Sequence, residues 1–121
     1  MVYHEGRAHP RGAGTFSRVL ARYVREKQAL GLMEALGKMS YLPAARLEAA
    51  VPQMKRKGRI EVGADADLVI FDPETVTDNA TFAEPALPSS GIDHVLVSGV
   101  FVVRDGKPQK DQLPGKAVRR N

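Results

Sequence analysis

The sequence contains no cysteine and no tryptophan, and only 6% of its 121 residues are aromatic. The absence of cysteine excludes a disulfide scaffold and a thiolate zinc site, and it is typical of proteins from a reducing compartment. No apolar run reaches the roughly 18 residues that span a bilayer, and the first residues lack the apolar stretch of a secretory signal. We therefore expect a cytoplasmic protein with an aliphatic core and no membrane partner.

Charge is present in ordinary amount, with 18 Lys and Arg against 14 Asp and Glu and a formal net charge of +4. The basic residues gather at 18–27, 55–57 and 116–120. A nucleic-acid-binding surface would need them interleaved with aromatics or placed on a recognisable reading helix, and the sequence shows neither. We expect solvated helix faces, a basic tail and no nucleic-acid partner. The alternative is a basic nucleic-acid-binding protein, which salt-dependent binding to DNA or RNA would identify.

Hydrophobic periodicity predicts helices in the first half of the chain. Residues 1–14 are glycine-rich and indicate a loop, after which Thr15 can cap an amphipathic helix that ends near Gly31. A second helix is predicted from about Leu32 to Met39. A third is predicted from Pro43 to about Ala49, because proline suits a first helical turn. The apolar stripe expected on the first helix consists of Phe16, Val19, Leu20, Tyr23 and Val24, with Arg18, Arg22, Arg25 and Lys27 on its solvated face.

The second half of the chain has the pattern of β-structure. We predict strands at 66–71, 92–97 and 100–104, with Ser98–Gly99 as a two-residue hairpin turn. The continuous apolar run of the first strand predicts that both of its faces are covered. Residues 74–91 show little periodicity and indicate a long surface loop. Helices followed by strands predict an α+β fold with segregated layers.

Residues 57–73 carry the most specific pattern in the chain. Locally they predict a turn, a tight glycine corner and a short strand. As a pattern they resemble the segment that follows the barrel in metal-dependent amidohydrolases. The residues that carry this resemblance are Gly58, Ile60, Gly63, Ala66, Asp67, Leu68, Val69 and Asp72.

A second set of motifs narrows the resemblance. Three motifs are similar to segments of the N-acyl-D-amino-acid deacylases, or D-aminoacylases. They are His9-Pro10-Arg11, then Gly14-Thr15-Phe16, and later Ala80-Thr81-Phe82. The resemblance runs from about His9 to Arg120 and departs at residues 48–57, where the family is shorter. It implies an incomplete composite domain. Residues 1–57 would be the terminal loop and helices of a (β/α)₈ barrel, and residues 58–121 would be part of a small β-sandwich with a C-terminal tail.

The resemblance also implies a chemistry. The full enzyme would hydrolyse the amide bond of an N-acyl-D-amino acid, with a zinc-activated water as nucleophile. The family's zinc ligands lie on earlier barrel strands, and its proton-shuttling Asp would fall at or before Met1. We therefore expect a fragment with no cofactor and no catalytic residue of its own, inactive when isolated. The alternative is a stand-alone interaction or assembly module derived from an amidohydrolase tail.

Two residues of this chain are candidates for substrate binding, Arg11 and His9. The resemblance places the Arg of His-Pro-Arg near the substrate, where a planar guanidinium suits an α-carboxylate. A local salt bridge remains the alternative for Arg11. His4, Glu5 and His9 match no standard zinc spacing, so no metal site is expected. Unpaired edges on the predicted strands lead us to expect a homo-oligomer.

Other polar clusters are expected to be structural. Asp67 and Asp72 would point to opposite faces of a strand, so they cannot form a close acid pair. We expect Asp67 to satisfy the turn after Gly63 and Asp72 to end the strand. His94 lies inside a predicted strand and is expected to pack there. Gly12-Ala13-Gly14 lacks both the preceding strand and the Gly-Lys-Ser/Thr of a phosphate loop.

Overall fold

The computed structural model describes residues 8–120, and these form an α+β fold with the helices first and the sheet second. In the described part, two continuous helical stretches stand where the sequence predicts three helices. None of the helices between residues 8 and 120 is long and apolar enough to cross a membrane. The helical elements are α1 (Arg11–Arg18), which continues as a π-helical segment (Val19–Glu26), then α2 (Leu32–Leu36), a second π-helical segment (Gly37–Tyr41), α3 (Leu42–Leu47) and a 3₁₀ turn (Pro52–Arg56).

Helix α1 begins at Arg11, so the predicted loop through residue 14 and the predicted cap at Thr15 are wrong. Pro10 occupies the N-cap position, and the Arg11 N–H donates to the His9 Nδ1 at 3.1 Å. The Thr15 hydroxyl lies inside the helix and donates to the Arg11 carbonyl at 2.6 Å. The glycines that indicated a loop are tolerated in the helix, and Gly14 is buried there. Residues 1–7 of the predicted loop lie outside the described residues.

The packed face of the first helical stretch is rotated away from the predicted apolar stripe. Phe16 is 63% exposed. Arg18 and Arg25, predicted to be solvated, instead contact the chain after β1: Arg18 binds Asp78, and Arg25 donates to the carbonyls of Pro73 and Val76. Small side chains on the packed face allow this close approach. The buried residues of this stretch are Gly14, Ser17, Leu20 and Ala21.

Helices α2 and α3 form one continuous helical stretch, because the π-helical segment Gly37–Tyr41 joins the end of α2 to the start of α3, where Pro43 lies. A proline has no N–H, so Pro43 cannot donate to the carbonyl four residues earlier. Just before it, the Leu42 N–H reaches back five residues to the Gly37 carbonyl. The prediction that Pro43 lies in a first helical turn is confirmed, whereas the predicted break before it is wrong. Gly31, predicted to stop the first helix, instead caps the start of α2.

The sheet is an antiparallel meander of four strands in the order β1-β2-β3-β4. The predicted bounds of β2 and β3 are confirmed, β1 starts two residues later than predicted, and β4 was not predicted. Ser98 and Gly99 turn the chain with φ of 50° and 78°, which confirms the predicted hairpin turn. The strands are β1 (Leu68–Phe71), β2 (Ile92–Val97), β3 (Val100–Arg104) and β4 (Lys107–Pro108).

The prediction that both faces of β1 are covered is wrong. Val69 and Ile70 are 56% and 47% exposed. Within residues 8–120 the helices pack mainly on one another and the strands mainly on one another, so little lies over β1. β1 also pairs with β2 along one edge only. The strand therefore presents apolar side chains and an unpaired backbone edge on the surface of the described residues.

The predicted loop after β1 is irregular, as expected, but it contributes to the core. Val76 and Ala80 are 0% and 3% exposed. Asp72 ends β1 as predicted: its carboxylate accepts hydrogen bonds from the Glu74 N–H and the Thr75 hydroxyl. We call residues 72–91 the connecting segment. It joins β1 to β2 and also packs against the first helical stretch.

Candidate functional site

His9 and Arg11, the two residues that the sequence predicts to bind substrate, lie at the start of α1. Arg11 is the first helical residue and is exposed. His9 Nδ1 accepts the Arg11 backbone N–H, so a neutral imidazole carries its proton on Nε2 and can donate from that atom. Within residues 8–120 the Arg11 guanidinium forms no ion pair, and Glu5, an acidic residue near it in the sequence, lies outside the described residues. The two side chains thus offer hydrogen-bond donors to an anion.

Asp78 of the connecting segment holds α1 in place. Its Oδ2 accepts a hydrogen bond from Arg18 Nε at 2.7 Å, and its side chain is only 6% exposed. A Cβ added at Gly14 would lie 1.8 Å from Asp78 Oδ1, so only glycine lets the helix come this close. Sequence reasoning missed Asp78. The signal was its position two residues before the Ala80-Thr81-Phe82 motif.

Phe82 lies beside His9 and was also not singled out as a site residue. The two rings meet edge to face, with centroids 5.1 Å apart and planes at 76°. Phe82 is 81% exposed, so its ring is accessible beside His9. The start of α1 therefore carries a cation, an imidazole and an accessible aromatic ring on neighbouring side chains.

A second charged cluster joins the glycine corner to the sheet. The Lys57 ammonium contacts Asp65 Oδ2 at 3.0 Å and Asp67 Oδ2 at 2.5 Å. Hydrogen bonding to Asp67 raises the pKa of Lys57, and the bond from Lys57 together with the Ser98 N–H lowers the pKa of Asp67. The Asp67 side chain thus binds the β2–β3 turn, at Ser98, and the prediction that it satisfies the turn after Gly63 is wrong. The cluster is structural in character.

Arg59 holds residues 48–57, the segment for which the sequence predicts a departure from the family pattern. Its guanidinium binds Glu48 and the Lys55 carbonyl and lies 5.1 Å from the centre of the Tyr41 ring. The bond to Glu48 raises the pKa of Arg59. Gly58 forms the predicted tight corner, because it has φ of +69° and a Cβ there would lie 2.6 Å from the Ser40 carbonyl oxygen.

The described residues do not fit a zinc centre. Among residues 8–120, no three His, Cys, Asp or Glu side chains come together as metal ligands, whereas zinc takes three or four. His4 and Glu5, considered as ligands with His9, lie outside the described residues. His94 packs edge to face on Phe101 across the sheet, with ring centroids 5.5 Å apart, which confirms its expected role.

Known proteins match almost the whole chain. The model of the amidohydrolase family called Amidohydro_3 matches residues 6–103. N-acyl-D-glutamate deacylase of Alcaligenes xylosoxydans xylosoxydans is 45% identical over 118 residues, which are 98% of this chain and 23% of the relative. The chain thus spans about a fifth of the length of the relatives it matches.

Solved structures agree with this result. A crystal structure of D-aminoacylase that defines a novel subset of amidohydrolases superposes with a TM-score of 0.84 and 40% identity, over 94% of this chain and 23% of that one. N-acyl-D-glutamate deacylase of Bordetella bronchiseptica, bound to zinc and a phosphonate mimic of the tetrahedral intermediate, gives a TM-score of 0.72 and 46% identity, over 84% of this chain and 21% of that one. The predicted resemblance to N-acyl-D-amino-acid deacylases is confirmed, and the chain belongs to the amidohydrolase family.

Proposed function

We propose that this chain supplies the substrate-carboxylate contact of a zinc-dependent N-acyl-D-amino-acid deacylase. The observation that carries the proposal is the exposed Arg11 at the start of α1, with His9 beside it, in a chain 45% identical to N-acyl-D-glutamate deacylase. Such a hydrolase adds water across the amide C–N bond and releases a carboxylate and a free D-amino acid. Arg11 would hold the α-carboxylate, and His9 Nε2–H would donate to the same anion.

The remaining chemistry belongs to residues outside this chain. Zinc, when bound by the rest of such an enzyme, polarises the acyl carbonyl and activates water. Among residues 8–120 no three metal-ligating side chains come together, so the contribution proposed for these residues is to bind and orient the substrate. Two N–H groups of a guanidinium match two carboxylate oxygens, which fixes both position and angle. In this proposal residues 1–57 end a barrel and residues 58–121 form part of a β-sandwich.

A chimera tests the proposal. The segment of N-acyl-D-glutamate deacylase that matches this chain is replaced by residues 1–121, and hydrolysis of N-acetyl-D-glutamate is measured. Arg11→Ala should raise KM about 10- to 100-fold, since a hydrogen bond to a charged group contributes about 1.5–3 kcal/mol. Arg22→Ala, an exposed arginine on the same helical stretch, is the matched control. An unchanged KM in Arg11→Ala would remove Arg11 from the site.

One observation favours a second candidate function, that of an assembly module. Exposed apolar side chains occur on β1 and also between the glycine corner and β1, where Ile60 and Val62 are almost fully or fully exposed. A surface of this kind marks a site where another chain or another part of the same chain packs. We infer that the chain pairs through β1, either with the rest of a deacylase or with a second copy. Co-purification with a separately expressed barrel portion would distinguish the first case.

A further inference from the structure

The connecting segment contacts the start of α1 at two points that lie on either side of Arg11. On the C-terminal side, Asp78 binds Arg18 and lies against Gly14. The Asp78 carboxylate is almost fully buried and has both oxygens engaged, since Oδ1 also accepts the Ala80 N–H at 2.9 Å. Removing one partner from a buried carboxylate costs more than removing one from an exposed ion pair, so loss of the Asp78 charge should loosen its contact with the helix.

On the N-terminal side, Phe82 contacts His9. The imidazole packs edge to face on the Phe82 ring, and its Nδ1 accepts the Arg11 N–H at 3.1 Å. Movement of Phe82 would therefore be passed through His9 to the backbone of Arg11. Together Asp78 and Phe82 restrict both the axial position of α1 and the turn that leads into it.

The support itself is held in place. Thr77 and Ser90 pair as an isolated antiparallel bridge, and Asn79 Nδ2 donates to the Pro88 carbonyl at 2.9 Å. Ala80, between the two contact residues, is 3% exposed. Residues 78–82 are thus anchored to the second half of the connecting segment, and through it to β2. This anchoring makes them a fixed support for α1.

We propose that Asp78 and Phe82 are positioning residues for Arg11, and this inference rests on the proposed function. Recognition of a carboxylate by a guanidinium depends on angle as well as distance, and a displacement of about 1 Å can lower a rate by about 100-fold. Asp78 and Phe82 need not touch the substrate. They hold the helix start at the angle from which Arg11 meets the carboxylate, and so they set KM for carboxylate-bearing substrates.

The first test uses the 121-residue chain and needs no activity. Asp78→Asn keeps the size of the side chain but turns an NH₂ group toward Arg18. Amide hydrogen exchange at residues 14–18 should become about tenfold faster or more, while exchange in β2 and β3 stays the same. Asp111→Asn removes the same charge at an exposed position and should change neither. Equal exchange in Asp78→Asn and the unsubstituted chain would overturn the inference.

The second test uses the chimera. Asp78→Asn should raise KM about fivefold or more with kcat within about twofold, and Phe82→Ala should raise KM about two- to tenfold. If Asp78 acts through Arg11, its effect on KM disappears in the Arg11→Ala background. Additive effects contradict the inference, since a general loss of stability would act in either background. An unsubstituted chimera without activity refutes the proposed function, and with it the role in substrate binding. The exchange result then decides only whether Asp78 holds the first helical stretch in place.

Discussion

Lys57 donates a hydrogen bond of 2.5 Å to the Asp67 carboxylate, and this bond joins the residue before the glycine corner to the residue before β1. The other Asp67 oxygen accepts the Ser98 N–H at 2.8 Å. One carboxylate thus ties the entry of β1 to the turn between β2 and β3. Because both oxygens are used, an amide at this position cannot replace the carboxylate.

The Lys57–Asp67 pair predicts a pH-dependent contribution to stability. The fold lowers the pKa of Asp67, so its contribution is full above the unfolded value of about 3.9 and is lost as pH falls through the lower folded value. The fold raises the pKa of Lys57, so that contribution is full below about 10.4 and is lost as pH rises through the higher folded value. Between these limits the pair contributes fully.

Asp67→Asn should therefore lower the free energy of unfolding by about 1–2 kcal/mol at pH 7, and by less near pH 3. Urea unfolding at the two pH values measures the difference. Asp111→Asn, which changes the same charge at an exposed position, is the control. Equal losses at pH 7 and pH 3 would contradict the electrostatic origin of the effect.

Two glycine substitutions in the helices should have opposite effects. A Cβ at Gly14 would lie 1.8 Å from the Asp78 carboxylate, so Gly14→Ala must displace α1 or Asp78 and should destabilise by about 1–3 kcal/mol. At Gly37 nothing lies within 4 Å of an added Cβ, so Gly37→Ala should stabilise by up to about 1 kcal/mol. Thermal unfolding compares the two. Stabilisation by Gly14→Ala would show that the Asp78 carboxylate can move away from α1 at little cost, which would contradict a fixed contact between them.

Self-association through β1 is expected for the isolated chain. Val69 is 56% exposed on a strand whose outer edge is unpaired among the described residues, and such edges recruit other strands. Val69→Lys should shift the chain toward monomer, as measured by light scattering across a concentration series. Val62→Lys adds the same charge in the turn before β1 and should have a smaller effect. A 13.2 kDa monomer at high concentration for the unsubstituted chain would refute self-association.

The isolated chain is expected to hold no stoichiometric zinc and to show no deacylase activity. The reason is that residues 8–120 bring together no set of three metal-ligating side chains. Metal analysis after dialysis, and hydrolysis of N-acetyl-D-glutamate with and without a chelator, measure this. Bound zinc at one equivalent, or hydrolysis that a chelator abolishes, would contradict the expectation.

The local signals in the sequence predict the sheet better than they predict the helices. The bounds of β2 and β3 follow from two short apolar runs and from the turns Ser98–Gly99 and Asp105–Gly106 that bound them, which are signals local to a few residues. The start of α1 was missed because Gly12 and Gly14 have low helix propensity. The reason for a glycine at position 14 is the close approach of the Asp78 carboxylate, and Asp78 lies 64 positions away, where no local pattern reveals it.

The candidate site was predicted only where a motif names its residues. His9 and Arg11 belong to a recognisable tripeptide, and the structure places them together. Phe82 and Asp78 lie in a segment without periodicity, so hydrophobic patterning gave them no role. Exposure of β1 was also unpredictable from its apolar run, because burial depends on what else packs on the strand and not on the strand itself.

The distance along the chain between Arg18 and Asp78 has a consequence for synthesis. The two residues are 60 positions apart. At about 5–20 residues per second, Asp78 is made roughly 3–12 seconds after Arg18. The first helical stretch can form within microseconds, long before its partner exists. The hairpin of β2 and β3 can form as soon as its own residues have been synthesised. Helix α1 cannot dock onto the connecting segment until Asp78 has been synthesised.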